Sequence, residues 1–485
     1  MVESTRTSIP MPENPSEQSD AVPAWRSRRA DRFFLADRDV GWLTGSASLA
    51  ATQMSAGTFV GTVGIHYAVG VSFFAIWPGI WLGWLVSLLF VAPHLRESGS
   101  VTVPDYLAAR FDGDGAGGDR TRAIVGSIVA VVYLVYTAAQ YVAGAVVLDV
   151  LLGVPQVWGT VSLAALAVGY TAVGGMRASV LTDAVQVVLM VGGAVAGVAV
   201  GLVRVGGLRT LLRRVEAVDA GLLGWGMPVT DVVGFALAFG LGIVVAPYEM
   251  NRVYAMSDGG AVRRAIAGSV AIQAVVAVSV VVLGLLARVT LPGLASPDAA
   301  VAELASALLG PVGGTLLLVG VLAAVLSTID SVLLVSASAI AYDLYAGVVR
   351  PPGGVDALRL VGSDDVVVVA RTATILAAVI PLGLAVRPGP LGGFVQLIVA
   401  LYSALVGGTL FAPVLLGLYW RSATTAGATG GVVTGGVAVV AWHLLTDAGT
   451  ALGPPLSALP PVLVGVVVSA ATVVALSVGP VSRAG

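Results

Sequence analysis

Apolar runs of about twenty residues recur along almost the whole chain, each near the length needed to cross the hydrocarbon layer of a bilayer. About twelve are legible, over residues 42–68, 72–93, 123–152, 158–174, 179–203, 229–254, 265–290, 312–343, 366–386, 391–418, 425–446 and 459–479. In lipid every backbone amide and carbonyl must be satisfied within the segment, so a chain of this kind can only be a bundle of helices. Hydrophobic residues make up 57% of the 485 and charged residues only 11%, which sets aside a large soluble enzyme. The expected class is therefore an all-α polytopic membrane protein.

Residue types absent from the chain narrow its chemistry. With no cysteine there is no disulfide, thiolate nucleophile or cysteine metal site. All 25 basic residues are arginine, so a P-loop lysine and a Schiff base are excluded as well. His66, His94 and His443 are not spaced as metal ligands, and no nucleic-acid signature is visible. Nothing resembles a nucleophile–base pair, which argues against an intramembrane enzyme.

Residues 1–40 are polar and lack the apolar core of a signal peptide, so they are read as a cytoplasmic tail. An even number of spans puts both termini on one side. With the N-terminus inside, the outer segments hold only six arginines, Arg204, Arg209, Arg213, Arg214, Arg288 and Arg387, and the remaining nineteen of 25, Arg252 among them, fall on the inner segments. That asymmetry predicts a cell-membrane protein with both ends in the cytoplasm.

Polar residues in three spans suggest what the bundle does. The first span carries Thr52, Gln53, Ser55 and Thr58 at mid-membrane among Gly57, Gly61 and Gly64, and the sixth contains Gly234, Gly240, Gly242 and Pro247. Two interrupted helices five spans apart point to an inverted repeat with a ligand site at its interface, because unwound backbone is tolerated at that depth only around a cavity. In the eighth span Gly320, Ala324, Ser327, Ser331 and Ser338 fall within about 60° of one another at 100° per residue, with Thr328 and Asp330 on the flanks. The Gly and Ala positions suit close helix packing. The Ser327-Thr328 pair, together with a loosened Ala324 carbonyl, offers neutral oxygens to a hard monovalent cation. Tyr133, Tyr136 and Gln140 share a face of the third span, and Thr182 and Asp183 open the fifth, either as a helix-start charge or as an ion-path pair. Gln53, Ser55, Thr58, Tyr136, Gln140, Phe239 and Tyr248 are the candidates for a solute pocket.

Several motifs in order resemble the sodium:solute symporter family, which includes the proline, pantothenate, monocarboxylate and sugar sodium symporters. They are DRFFLADRDVGW, AATQMSAGTFVG, GGMRASVLTDAVQ, PYEMNRVYAMSDGGAVRRA, LAAVLSTIDSVLLVSASAIAYDLY and LFAPVLLGLYWRSATTAGA, spread over about residues 31–435. The resemblance implies a ten-helix core over 41–420, built of two inverted five-helix repeats at about 41–203 and 229–420, with two further helices in 421–485. It also implies Na⁺ as the coupling ion, held by the carbonyls of Ala51, Met54 and Ala324 and the hydroxyls of Ser327 and Thr328, with Asp183 on the sodium path to the cytoplasm. Two departures stand out. Many relatives have an additional helix ahead of DRFFLADRDVGW, where this chain has a polar tail, and Gln53 replaces a residue that is acidic in the proline branch.

The expectation is a sodium symporter, functional as a monomer in the bilayer, that imports a small organic solute, an organic acid or amino-acid-like compound. Proton coupling through Asp183 or Asp330, and a membrane solute sensor on a transporter core, are the alternatives.

Overall fold

The computed structural model describes residues 28–112, 116–345, 363–385, 395–447 and 459–478. Residues 1–27 of the expected N-terminal tail lie outside them, while residues 28–40 are described and include a short helix that buries Phe33, Phe34 and Leu35. The helices are α1 (Arg28–Leu35), α2 (Trp42–Gln53), α3 (Thr62–Val69), α4 (Trp77–Val86), α5 (Ala92–Glu97), α6 (Val103–Asp112), α7 (Ala116–Leu152), α8 (Gln156–Val205) and α9 (Leu208–Val218), then α10 (Val229–Val245), α11 (Pro247–Ala255), α12 (Gly259–Thr290), α13 (Ala300–Leu304), α14 (Gly310–Ser338), α15 (Ser363–Ala385), α16 (Val395–Tyr419), α17 (Thr425–Asp447) and α18 (Pro461–Val478). No strand is present among the described residues.

Both interruptions read from the sequence are in the backbone. Helix α2 stops at Gln53, where Met54 turns extended with φ −78 and ψ 92, and the chain re-enters helix through π-helical turns over Gly57–Gly61. Helix α10 stops at Val245, and Ala246 adopts φ −57 and ψ 116 before Pro247 starts α11. Proline causes the second break: its ring drives the preceding residue out of the helical region, and its missing N–H is harmless at the first helical position.

Ten stretches among the described residues are long and apolar enough to cross a membrane, against the expected twelve. The difference has a physical origin. Trp42–Gln53 is cut off by the break that follows it, the rest of that span runs on into the second as Gly57–Glu97 across Gly70, with φ 72 and ψ −144, and Gln156–Val205 counts once although it reverses. Thr171 bonds Asp330, while Ser179 and Asp183 reach Arg252, which holds Ser331. Thr171 and Asp183 would lie about 18 Å apart on a straight helix. Their meeting with neighbouring positions of α14 requires a fold-back, and Gly175, with φ 57 and ψ −150, supplies it.

Helix α14 is the axis of the bundle. Its stretch has a most apolar window that is 83% buried, compared with 28% for α17 and for α18, which are peripheral. Close approach to α8 depends on missing side chains: a Cβ on Gly193 would sit 2.5 Å from the Leu316 carbonyl oxygen, and one on Gly320 would sit 2.7 Å from that of Leu189.

Gly175→Ala is expected to lower stability by about 2 kcal/mol or more, since a Cβ there combines a glycine-only conformation with a 2.5 Å contact to the Phe33 carbonyl. Gly192→Ala, with open space around it, should leave the melting temperature in detergent unchanged. Equal melting temperatures for both variants would remove Gly175 as the reversal point.

Candidate functional site

The break after Gln53 redirects three amides. Ser55 N–H donates to Thr58 Oγ1 (3.3 Å), Ala56 N–H to Gln140 Oε1 (3.0 Å) and Gly57 N–H to Ser55 Oγ (3.0 Å). In an unbroken helix the first two would cover the carbonyls of Ala51 and Thr52. Those carbonyls are instead met by the neighbouring helix: Ser327 Oγ lies 2.8 Å from the Ala51 oxygen and 3.0 Å from the Ala324 oxygen, and Thr328 Oγ1 lies 3.4 Å from the Thr52 oxygen.

Four of the five residues expected to hold Na⁺, namely Ala51, Ala324, Ser327 and Thr328, thus meet at the crossing of α2 with α14. Met54 is fully buried at the end of α2, where its N–H bonds the Ala50 carbonyl at 2.9 Å. The donor set is neutral and hard, as a monovalent alkali cation prefers. A further observation fits the ion: Ser327 Oγ lies within hydrogen-bond distance of both the Ala51 and Ala324 carbonyls, so three neutral oxygens converge at one point. Ser327 and Thr328 would supply hydroxyl oxygens, and Ala51 and Ala324 carbonyls.

Beyond this crossing the α14 seam continues into a charged cluster. Ser331 Oγ donates to the Ser327 carbonyl (2.6 Å), lies 3.1 Å from Thr52 Oγ1 and accepts from Arg252 at 2.6 Å. The same Arg252 nitrogen donates to Ser179 Oγ (2.8 Å) and reaches Asp183 at 3.4 Å, while Ser48 donates to Asp183 at 2.5 Å. Asp183 is therefore a member of the cluster. Thr182 is not, because its hydroxyl bonds back to the carbonyls of Ala178 and Ser179 on its own helix.

Arg252 corrects an assignment made from the sequence. The sequence places it among the inner-surface arginines, yet it is only 1% exposed and is held by paired hydroxyls and a carboxylate inside the bundle. The signal was its place three residues after Glu249, in a helix that starts within the sixth span.

Six of the seven solute-pocket candidates, Gln53, Ser55, Thr58, Tyr136, Phe239 and Tyr248, line one cavity that admits about 30 Å³ of water-sized volume. That is room for about two waters, so a solute must displace side chains to enter. Tyr136 stacks on Tyr402 with ring centres 4.0 Å apart, Tyr402 donates to Tyr133 (2.8 Å), and Tyr248 donates to Gln53 Oε1 (2.8 Å). The seventh candidate, Gln140, lies outside the lining and holds Ala56. Sequence reasoning missed Tyr402 and Gln396, although both stand out as polar tips in an apolar span. Gln396 Oε1 is buried without a hydrogen-bond partner and lines the same cavity.

Residues 33–435 match the profile of the sodium:solute symporter family. The high-affinity proline transporter PutP of Bacillus subtilis is 28% identical over 433 residues, covering 86% of this chain and 87% of the relative. Sodium/proline symporter 2 of Staphylococcus saprophyticus is 27% identical, covering 84% and 80%. Among solved structures, a Na⁺-coupled sialic acid symporter in a substrate-bound outward-open state superposes with a TM-score of 0.74 at 20% identity over 92% of each chain. A nucleobase-cation-symport-1 family transporter in a closed conformation gives 0.57 at 16% identity, over 91% of this chain and 93% of the other.

Ser327→Ala or Thr328→Ala should raise the half-saturating Na⁺ concentration by roughly tenfold or more, the effect of losing one buried ligand. Ser336 is the control: it points about 180° from Ser327, and its hydroxyl is buried with no partner in the structure. Its alanine variant should transport normally at equal expression. Identical sodium dependence in all three would reduce the seam to a packing face.

Proposed function

The chain belongs to the sodium:solute symporter family, and from that premise we propose that it imports a small amino-acid-like solute together with Na⁺ by alternating access. The observation that carries this reading is that one broken segment, residues 51–58, serves two purposes. Its inner carbonyls at Ala51 and Thr52 face Ser327 and Thr328, and its next residues, Gln53, Ser55 and Thr58, line the cavity. An ion that clamps α2 to α14 therefore also fixes the geometry of the solute pocket. Coupling is then a difference in affinity between states: Na⁺ favours the outward-facing arrangement that binds solute, and rocking of α2 against α14 loosens the ion site on the inner side. The membrane potential adds about 2.3 kcal/mol per charge per 100 mV to that drive.

The lining supports the solute class. Tyr136, Tyr248, Tyr402, Phe239 and Trp77 wall the cavity with aromatic surface suited to a small apolar body. The Gln53 amide oxygen is taken by Tyr248, which leaves its N–H groups to donate, and Ser55 and Thr58 add hydroxyls. Donors of this kind suit a carboxylate. Proline is the first solute to test because the curated relatives are named for it. A small organic acid is the second, because Gln53 is neutral.

The same reading puts both termini in the cytoplasm, counts twelve spans by dividing the chain at Gly70 and Gly175, and places Thr182 and Asp183 near the inner ion path. Each chain carries a complete site, which supports function as a monomer in the cell membrane.

Proteoliposomes given an inward Na⁺ gradient should accumulate labelled proline or a competing small acid, and K⁺ replacement should abolish uptake. Accumulation that follows a pH gradient and ignores Na⁺ would overturn the proposal. Asp183→Asn should reduce maximal uptake about tenfold while changing solute binding from outside by less than about threefold, as expected of an ion-release residue. Unchanged kinetics would make Asp183 a structural charge.

A further inference from the structure

Arg252 faces three buried carboxylates, Asp183, Asp330 and Glu249, each within electrostatic reach of its guanidinium. Their use is unequal. Asp183 Oδ2 accepts from Ser48 and Arg252, and Asp330 Oδ1 accepts from Thr171 at 3.1 Å. Glu249 is 0% exposed, and neither of its oxygens has a partner. The Nε of Arg252 is buried without a partner as well. Glu249 and Arg252 are three residues apart on α11, a spacing that brings side chains of one helix face within about 5–6 Å at Cβ.

A carboxyl group and a guanidinium N–H both left without partners one helical turn apart in a membrane interior need an explanation, since buried charge at that depth is retained for a use. The Arg252 nitrogen that holds Ser331, Ser179 and Asp183 sits where an ion leaving Ser327 and Thr328 along the α14 seam would pass. Two cations cannot share those oxygens, so the guanidinium must withdraw before the ion can leave. Withdrawal without a new partner would strand a bare charge. Asp330 keeps a free Oδ2 beside the Oδ1 that Thr171 engages, but it lies on α14, the helix Arg252 would have to leave. Glu249 is on the same helix as Arg252, both of its oxygens are free, and a change of arginine rotamer suffices.

We propose that Glu249 is the alternate partner of Arg252, a positioning residue that takes the guanidinium from Ser331 and Asp183 when the inner side of the sodium path opens. The Asp183–Arg252 contact is then the closed inner gate and the Glu249–Arg252 contact the open one. The inference rests on the sodium-symport reading above.

The absence of cysteine makes the test clean, because a single introduced thiol is the only one in the protein. Met176 is fully buried three and seven residues before Ser179 and Asp183, on the same inner face of α8. In a Met176→Cys protein that still transports, reconstituted in nanodiscs, a water-soluble maleimide should react several-fold faster in K⁺ than in Na⁺, since Na⁺ holds the inner side shut. Adding Glu249→Gln should keep labelling slow in both ions. The same substitution should lower maximal uptake about tenfold while leaving half-saturating Na⁺ within about twofold, the signature of a slowed conformational step. Glu249→Asp should recover part of both readouts. If the Met176→Cys protein shows no sodium effect, the symport reading itself fails. If it shows the effect and Glu249→Gln behaves identically, the alternate-partner role fails alone. Fast labelling of Glu249→Gln in both ions, or loss of Na⁺ binding by the purified variant, would mark Glu249 as a packing residue and overturn the proposal equally.

Discussion

A helix that stops halfway through a membrane leaves carbonyls without amides at a depth where water cannot serve them, and this constraint organises the protein. At Ala51 and Thr52 the lost donors are replaced by the hydroxyls of Ser327 and Thr328, while the released amides are taken by Thr58, Gln140 and Ser55. The replacements come from three places: the broken segment itself, Gln140 on α7 and the adjacent pair Ser327-Thr328 on α14. The break therefore holds only if α7 presents Gln140 and α14 presents its hydroxyl pair at one level. An unbroken α2 would satisfy its own backbone and would not turn the Ala51 and Thr52 carbonyls to α14.

The second break works differently. Pro247 stops α10 for a steric reason internal to the chain, so α11 can begin with a free direction and carry Tyr248, Glu249 and Arg252 into the interior. Tyr248 lines the cavity and bonds Gln53, and Arg252 reaches the seam of α14 through Ser331. One nine-residue helix thus touches both the cavity and the α14 seam.

Much of this was legible beforehand, for identifiable reasons. Helix positions follow from the requirement for apolar runs of membrane length, and the two breaks follow from glycine and proline set among polar residues. The hydroxyl face of α14 follows from helical periodicity alone. The role of Gln140 was not legible, since a mid-span amide that faces a cavity and one that caps a restarted helix have the same pattern in sequence. Arg252 was hidden for a related reason: an arginine near the end of an apolar span is indistinguishable from a surface anchor until its partners, Ser179, Asp183 and Ser331, arrive from helices 69 to 79 residues away in the chain. The reversal at Gly175 falls in the gap between the apolar runs at 158–174 and 179–203, yet by length and composition alone the stretch counts as one long helix.

Charge economy explains why the polar interior is tolerated. The oxygens at the crossing of α2 and α14 are neutral, so that site carries no desolvated charge of its own, whereas the carboxylates gather about Arg252 in the adjoining cluster. Separating the two has a physical advantage. Neutral oxygens would hold a monovalent cation with modest affinity, whereas a carboxylate placed directly against Ser327 would hold it more tightly. The seam from Ser327 to Ser331 sets that spacing at one helical turn, with Ser331 bonded to the Ser327 carbonyl at one end and to Arg252 at the other.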